Sequence, residues 1–220
     1  MGKYRHGILG GFKGKVGNIV GSTWKGLDVM KIRPASVTNP NTVRQQDQRN
    51  RFGLMMRFLS PQRRLVQIGF RPYAVKMTSF NAAMSYNLAA AIGGNFPDFG
   101  INYNMVMLSM GDLPALTQPV LAFIEPASVK LSWNDNSNAE GAKSTDQLMV
   151  SIYDQDSGRA QIFISCAIRS DATVTMVLPA EWAGLSVEVL TFFLAEEGVA
   201  SAQARSLISD TTYAGNLLLE

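Results

Sequence analysis

Apolar residues recur along this chain at two different periods, and the change between them divides it. In the middle, Phe52, Met55, Met56 and Leu59 fall at i, i+3, i+4 and i+7, the stripe of a helix running over Val43–Leu59, with Arg49 and Arg57 off the stripe. Thr42 and Gln45 stand at capping-box spacing at its start, after the turn Thr38-Asn39-Pro40-Asn41. Ser60-Pro61 predicts a second helix, with Ser as cap and Pro in the first turn, ending near Gly69. Thr78 or Ser79 opens a third, with Phe80, Ala83, Met84, Asn87 and Ala91 on one side and Gly93-Gly94 as its stop. Residues 95–118 read as a packed linker with one strand over 101–109. Short β runs follow, at 120–124, 128–133, 147–153, 161–167, 173–178, 186–194 and 200–208. Seven such runs, with turns such as Asp156-Ser157-Gly158 and Glu196-Glu197-Gly198, fit a small antiparallel sandwich.

Neither period governs the start of the chain. Eight glycines precede Arg33, too many for a stable helix, so extended backbone and tight turns are expected. Residues 16–23 and 27–32 can pair as a hairpin across Trp24-Lys25-Gly26, with Gly26 supplying the positive φ of the turn. Phe12, Val16, Ile19, Val20, Trp24 and Val29 are too apolar for a solvated tail, so the segment reads as an arm that docks. The expected fold class is α+β: a Gly-rich arm or hairpin (1–38), a helical region and linker (39–118), and a C-terminal antiparallel β-sandwich of the immunoglobulin or fibronectin III-like kind (119–220).

Charge sharpens this division. Through Lys76, fifteen Lys and Arg face two acids, whereas from Met77 onward five Lys and Arg face fifteen acids. A chain so polarised suits an anionic polymer at one end, or neighbouring copies packed head to tail. Phe12, Lys13, Lys15, Trp24, Lys25, Lys31, Arg33, Arg44, Arg49, Arg51, Arg63 and Arg64 are the candidate contact residues, toward other subunits or toward nucleic acid.

The chemistry-bearing residues argue against catalysis. His6 is the sole histidine, so no His-based triad or multi-histidine metal site can be built within one chain. Cys166, the sole cysteine, forms no internal disulfide and reads as a buried small apolar residue. Gly14-Lys15 lacks both the earlier glycine and the following hydroxyl of a phosphate-binding loop, since those positions hold Leu9 and Val16. Asp135, Glu140 and Asp146 flank a loop without EF-hand spacing, which reads as a solvated hairpin. No cofactor or metal is expected. No signal-peptide core or bilayer-length apolar run is found, so neither export by that route nor a spanning helix is expected.

The run from Gly10 to Gly21, with Trp24-Lys25-Gly26, Asn39-Pro40-Asn41-Thr42 and Gln45-Gln46-Asp47-Gln48-Arg49, resembles a family of uncharacterised function from Bacteroidota and their phages or prophages. Phe80-Asn81-Ala82-Ala83-Met84 and Trp182-Ala183-Gly184 extend the resemblance over most of the chain. The Asn-Pro-Asn-Thr element is similar to a motif of phage and prophage proteins, and Leu178-Pro179-Ala180-Glu181-Trp182 to the corner before the sixth strand of a fibronectin III module. The resemblance implies a non-enzymatic structural protein of a phage virion (capsid, neck or tail) or related assembly, whose partners are other copies or other virion subunits. The alternative is a nucleic-acid-binding protein using the same basic third; no membrane partner is expected.

Overall fold

Residues 147–154 and 186–194 are apolar at most positions rather than at alternate ones, the pattern of strands covered on both faces. The computed structural model describes residues 3–4, 11–24, 26–36, 40–124, 127–196 and 205–219. The chain divides into two compact units, residues 1–42 and 43–220. The segments expected as 39–118 and 119–220 therefore fall almost wholly within one unit, and they share a core.

In the first unit, β1 (Lys3–Tyr4), β2 (Phe12–Val16), β3 (Ile19–Trp24) and β4 (Leu27–Ile32) pair antiparallel in that order. The expected hairpin is present with Gly26 at φ +85°, but Val16 belongs to the strand before it, because Gly17 at φ +59° makes an additional turn. Gly14, at φ +110°, bends β2, and the Phe12 carbonyl and ring lie where any Cβ on Gly21 would stand. Among the described residues of this unit, Gly21 alone is buried.

The second unit begins with α1 (Val43–Leu59), at the expected bounds, then α2 (Arg63–Gly69) and α3 (Ser79–Ala90). Ser60 does not cap α2. Its Oγ donates back to the Met56 carbonyl at 2.6 Å, as hydroxyls in a last turn do, and Gln62 takes the cap position without a side-chain cap bond. Thr78 caps α3 by accepting from Asn81 N–H at 3.1 Å. Gly93-Gly94 does not stop that helix, whose C-cap is Ala91; the two glycines lie in β5 (Ile92–Asn95), which pairs with β6 (Asp98–Ile101).

No strand covers 101–109. A 3-10 turn (Tyr103–Met105) is followed by a buried segment whose amides bond to side chains instead of a ladder. Met107 N–H donates to Asn87 Oδ1 at 2.9 Å, and Leu108 and Ser109 N–H both donate to Thr211 Oγ1 at 2.8 Å.

Seven antiparallel strands complete the unit: β7 (Thr117–Ile124), β8 (Ser128–Asn134), β9 (Gln147–Asp154), β10 (Arg159–Phe163), β11 (Thr173–Val177), β12 (Ser186–Leu194) and β13 (Thr212–Leu218). They form sheets of order β11-β8-β7 and β10-β9-β12-β13, an immunoglobulin or fibronectin III-like sandwich. The seventh strand is not at 200–208: residues 205–207 form a 3-10 turn, and 200–204 lie outside the described residues. Gly215 at φ +129° adjoins a bulge in β13, where Ala214 is skipped opposite Val189 and Leu190 of β12, and interrupts the alternation by which the strand could be read.

β9 and β12 are buried at every position after their first. Leu148, Val150 and Ile152, with Val187, Val189 and Phe193, face Val129, Leu131 and Trp133 of the three-stranded sheet. On the opposite face, Met149, Tyr153, Leu190, Phe192 and Leu194 pack with Met55, Phe58 and Leu59 of α1 and Leu65 and Val66 of α2. Phe58 meets Tyr153 edge-on at 4.9 Å between ring centroids. Each such large side chain stabilises by about 1.5–3 kcal/mol, so helices and sandwich are held by the same sheet.

Among the described residues one ion pair is fully buried. Arg169 and Asp146 are both fully buried, with Nε to Oδ2 at 3.0 Å. The guanidinium also donates to Asn136 Oδ1 and the Pro114 carbonyl, and stacks 3.9 Å over the Phe193 ring. Trp133 Nε1 donates to the Arg169 carbonyl at 2.9 Å. Arg169→Ala leaves Asp146 buried and unpaired, and is expected to lower stability by about 3–5 kcal/mol in denaturant unfolding. Replacing both partners with apolar residues should cost far less. A loss below about 1 kcal/mol for the single variant would mean the pair does not hold the sandwich together.

Candidate functional site

Strand pleat sorts the side chains of the first unit. Val16, Ile19 and Ile32 are Cα partners in series across β2, β3 and β4, so they share one face; Lys15, Val20 and Lys31 form the adjacent row and share the other. β4 is an edge strand among the described residues, and all six of its side chains are exposed, Leu27 at 65%, Met30 at 67% and Ile32 at 77%. Lys3 and Lys13 are direct cross-strand partners, both exposed. Of the expected contact residues, Phe12 is half-buried over Gly21, Lys13, Lys15, Lys31 and Arg33 are exposed, and Trp24 takes its place in β3 opposite Leu27. Lys25 lies outside the described residues.

In the second unit the expected arginines do not form one surface. Arg51 pairs with Asp47 one turn earlier at 3.2 Å and lies 4.6 Å over the Phe99 ring. Arg63 lies 5.2 Å over Phe80, while Arg64 is exposed. Arg57, outside the candidate set, donates to the Asp156 carbonyl at 2.7 Å and occupies the space over Gly158. Arg44 lines a depression of about 360 Å³ with Asp47, Gln48 and Arg51, and Arg49 another of about 340 Å³ with Gly53, Pro97 and Phe99. A larger groove of about 610 Å³ runs between α1 and α3, floored by Phe52, Met56, Phe80, Met84 and Leu88. Sequence spacing assigns Phe80 and Met84 to the core and passes over Leu88; their i, i+4, i+8 spacing is the signal that they line one groove.

Several acids of the C-terminal half have partners within the unit, whereas Asp98, Glu140, Asp156 and Glu196 are exposed. Asp112 pairs with Arg205 at 2.8 Å, Glu181 with Arg159 at 2.9 Å, and Asp146 with Arg169. Asp171 and Asp210 accept from the amides of Ile168 and Gly111. Glu188 accepts from Tyr213 Oη at 2.6 Å and from Asn216 Nδ2. Burial first, and then the Glu188 hydrogen bond, hold the Tyr213 phenol well above its ordinary range; Tyr103 is raised chiefly by burial as well. Both phenols are therefore protonated donors at neutral pH. Among the described residues no group of three or more His, Cys, Asp or Glu is placed to hold a metal ion, and no helix is long and apolar enough to cross a membrane.

A model described as a family of unknown function, DUF6266, matches residues 11–207. Comparison with curated proteins finds no match. Among solved structures the chain is similar to the fn3 domain of human collagen alpha-1(XX) chain, at 14% identity and a TM-score of 0.35, over 48% of this chain and 84% of that one.

Burial pushes the Cys166 thiol up to about 11 from 9.0, and its Sγ points to the Leu148 carbonyl at 3.6 Å. At pH 8 its thiolate fraction is then about a hundredfold below that of an unperturbed thiol. Maleimide labelling of the native protein should be slower by at least that factor and recover on unfolding. The structure leaves Cys166 half-buried rather than buried, and labelling at the rate of free cysteine would contradict that placement.

Proposed function

The chain belongs to the DUF6266 family, whose function is unknown, and we propose that it is a non-catalytic structural subunit whose N-terminal unit docks on a neighbouring subunit. The observation that carries this reading is β4, an edge strand with Leu27, Val29, Met30 and Ile32 all exposed. Folded proteins normally blunt such an edge with charge, proline or a covering element, because its free N–H and C=O groups recruit another strand. A sheet of about 40 residues without a buried apolar side chain among those described lies at the size where oligomerisation usually supplies the missing core. The likeness of Asn39-Pro40-Asn41-Thr42 to a phage and prophage motif supports a bacteriophage virion of Bacteroidota as the setting, with other copies or other virion subunits as partners.

Met30→Asp and Ile32→Asp put like charges on the edge and remove two apolar contacts. Each lost contact is worth about 1.5–3 kcal/mol, so self-association measured by sedimentation velocity should weaken by at least about tenfold per side chain, with the second unit still folded. Mass spectrometry of purified phage particles tests the setting. A protein that stays monomeric at every concentration and joins no particle would falsify the reading.

A further inference from the structure

We infer that the exposed lysines of the N-terminal unit bind the phosphodiester backbone of double-stranded DNA without regard to sequence. Lys3 and Lys13 stand directly across from each other on β1 and β2, a placement that destabilises an isolated sheet. Lys15 and Lys31 flank Val20 in one row on one face, about 10 Å apart at ordinary strand spacing. None of the four makes an ion pair among the described residues. Asp28, the one described acid of the unit, is taken by Thr23 Oγ1 at 2.9 Å. The unit thus concentrates like charge, with Asp28 as the single described counter-charge of its own.

Another copy of the chain offers its exposed acids singly, Asp98, Asp135, Glu140, Asp156 and Glu196 lying on several segments rather than as a continuous row. Asp112, Asp146 and Glu181 are paired with arginines, Asp171 and Asp210 hold backbone amides, and Glu188 is held by Tyr213. An external polyanion is the complementary partner. Lysine is a mobile point charge suited to neutralising phosphates rather than reading base edges. Phe12, the one aromatic side chain described in this unit, is half-buried over Gly21, so the stacking platform that favours single strands is not offered by the described side chains. The inference is separable from the assembly reading through Met30 and Ile32, which lie on the face opposite Lys15 and Lys31, whereas Leu27 and Val29 share the lysine face.

Fluorescence anisotropy of the intact protein with a short random-sequence duplex, between about 50 and 200 mM NaCl, tests it. Four phosphate contacts predict a log–log slope of affinity against salt of about −3.6. The combined Lys13→Gln, Lys15→Gln and Lys31→Gln variant should lose about 2.7 of that slope, while the corresponding Arg variant and Ile32→Asp keep it. Single reversals, Lys15→Glu or Lys31→Glu, should each give a partial loss, which collapse of the sheet would not. Absence of binding at the low-salt end, an unchanged slope in the Gln variant, or tighter binding of a single strand than of the duplex would overturn the inference. So would a Gln variant that changes oligomeric state and leaves DNA affinity intact.

Discussion

Burial of β9 and β12 on both faces is the constraint on which the second unit depends. Their side chains alternate between two cores, Leu148, Val150 and Ile152 toward the three-stranded sheet and Met149 and Tyr153 toward the helices. A sheet in that position cannot shift register by one residue without exchanging the contents of both cores. The largest polar side chains that enter have partners fitted to them, whereas the small Ser151 hydroxyl in β9 is buried without a hydrogen bond among the described residues. Arg169, inside the sandwich, has its guanidinium satisfied by Asp146, Asn136 and Pro114 and lies over Phe193. Asn87, under the helices, replaces a strand neighbour for Met107.

Elements whose pattern is local were legible in the sequence. Val43–Leu59 showed its stripe, Thr78 its cap, Gly26 its turn, and six of the seven sandwich strands their short apolar runs. The misreadings share a cause. Ser60 and Gly93-Gly94 carry the right residues for a cap and a stop, but tertiary partners decide: Ser60 turns back to Met56, and the glycines join a hairpin with β6. The segment at 101–109 has apolar residues suited to a strand, yet side chains twenty and more than a hundred positions away capture its amides, and no local pattern reports such bonds. β13 was missed because Gly215 interrupts its alternation at the bulge.

The candidate site was legible in composition and not in arrangement. Counting residues gives a basic first third and an acidic remainder, but the count treats every charge as available. In the folded chain Arg51, Arg159, Arg169 and Arg205 are each committed to a carboxylate, whereas Lys3, Lys13, Lys15 and Lys31 are exposed. The division of β2, β3 and β4 into an apolar row and a lysine row required the register, because Gly14 and Gly17 break the count of two that would otherwise assign faces.

The close approach of Phe12 to Gly21 bears on when the N-terminal sheet acquires its stability. A sheet whose one described buried position is a glycine gains little hydrophobic free energy from itself, so under the proposed docking most of its ordering would be coupled to the neighbour that covers it. Coupled ordering lowers affinity per unit of contact area and makes it steeply dependent on concentration. Such a segment behaves as a delay: dilute chains remain separate, and commitment to a neighbour is reserved for the moment when enough of them are present together.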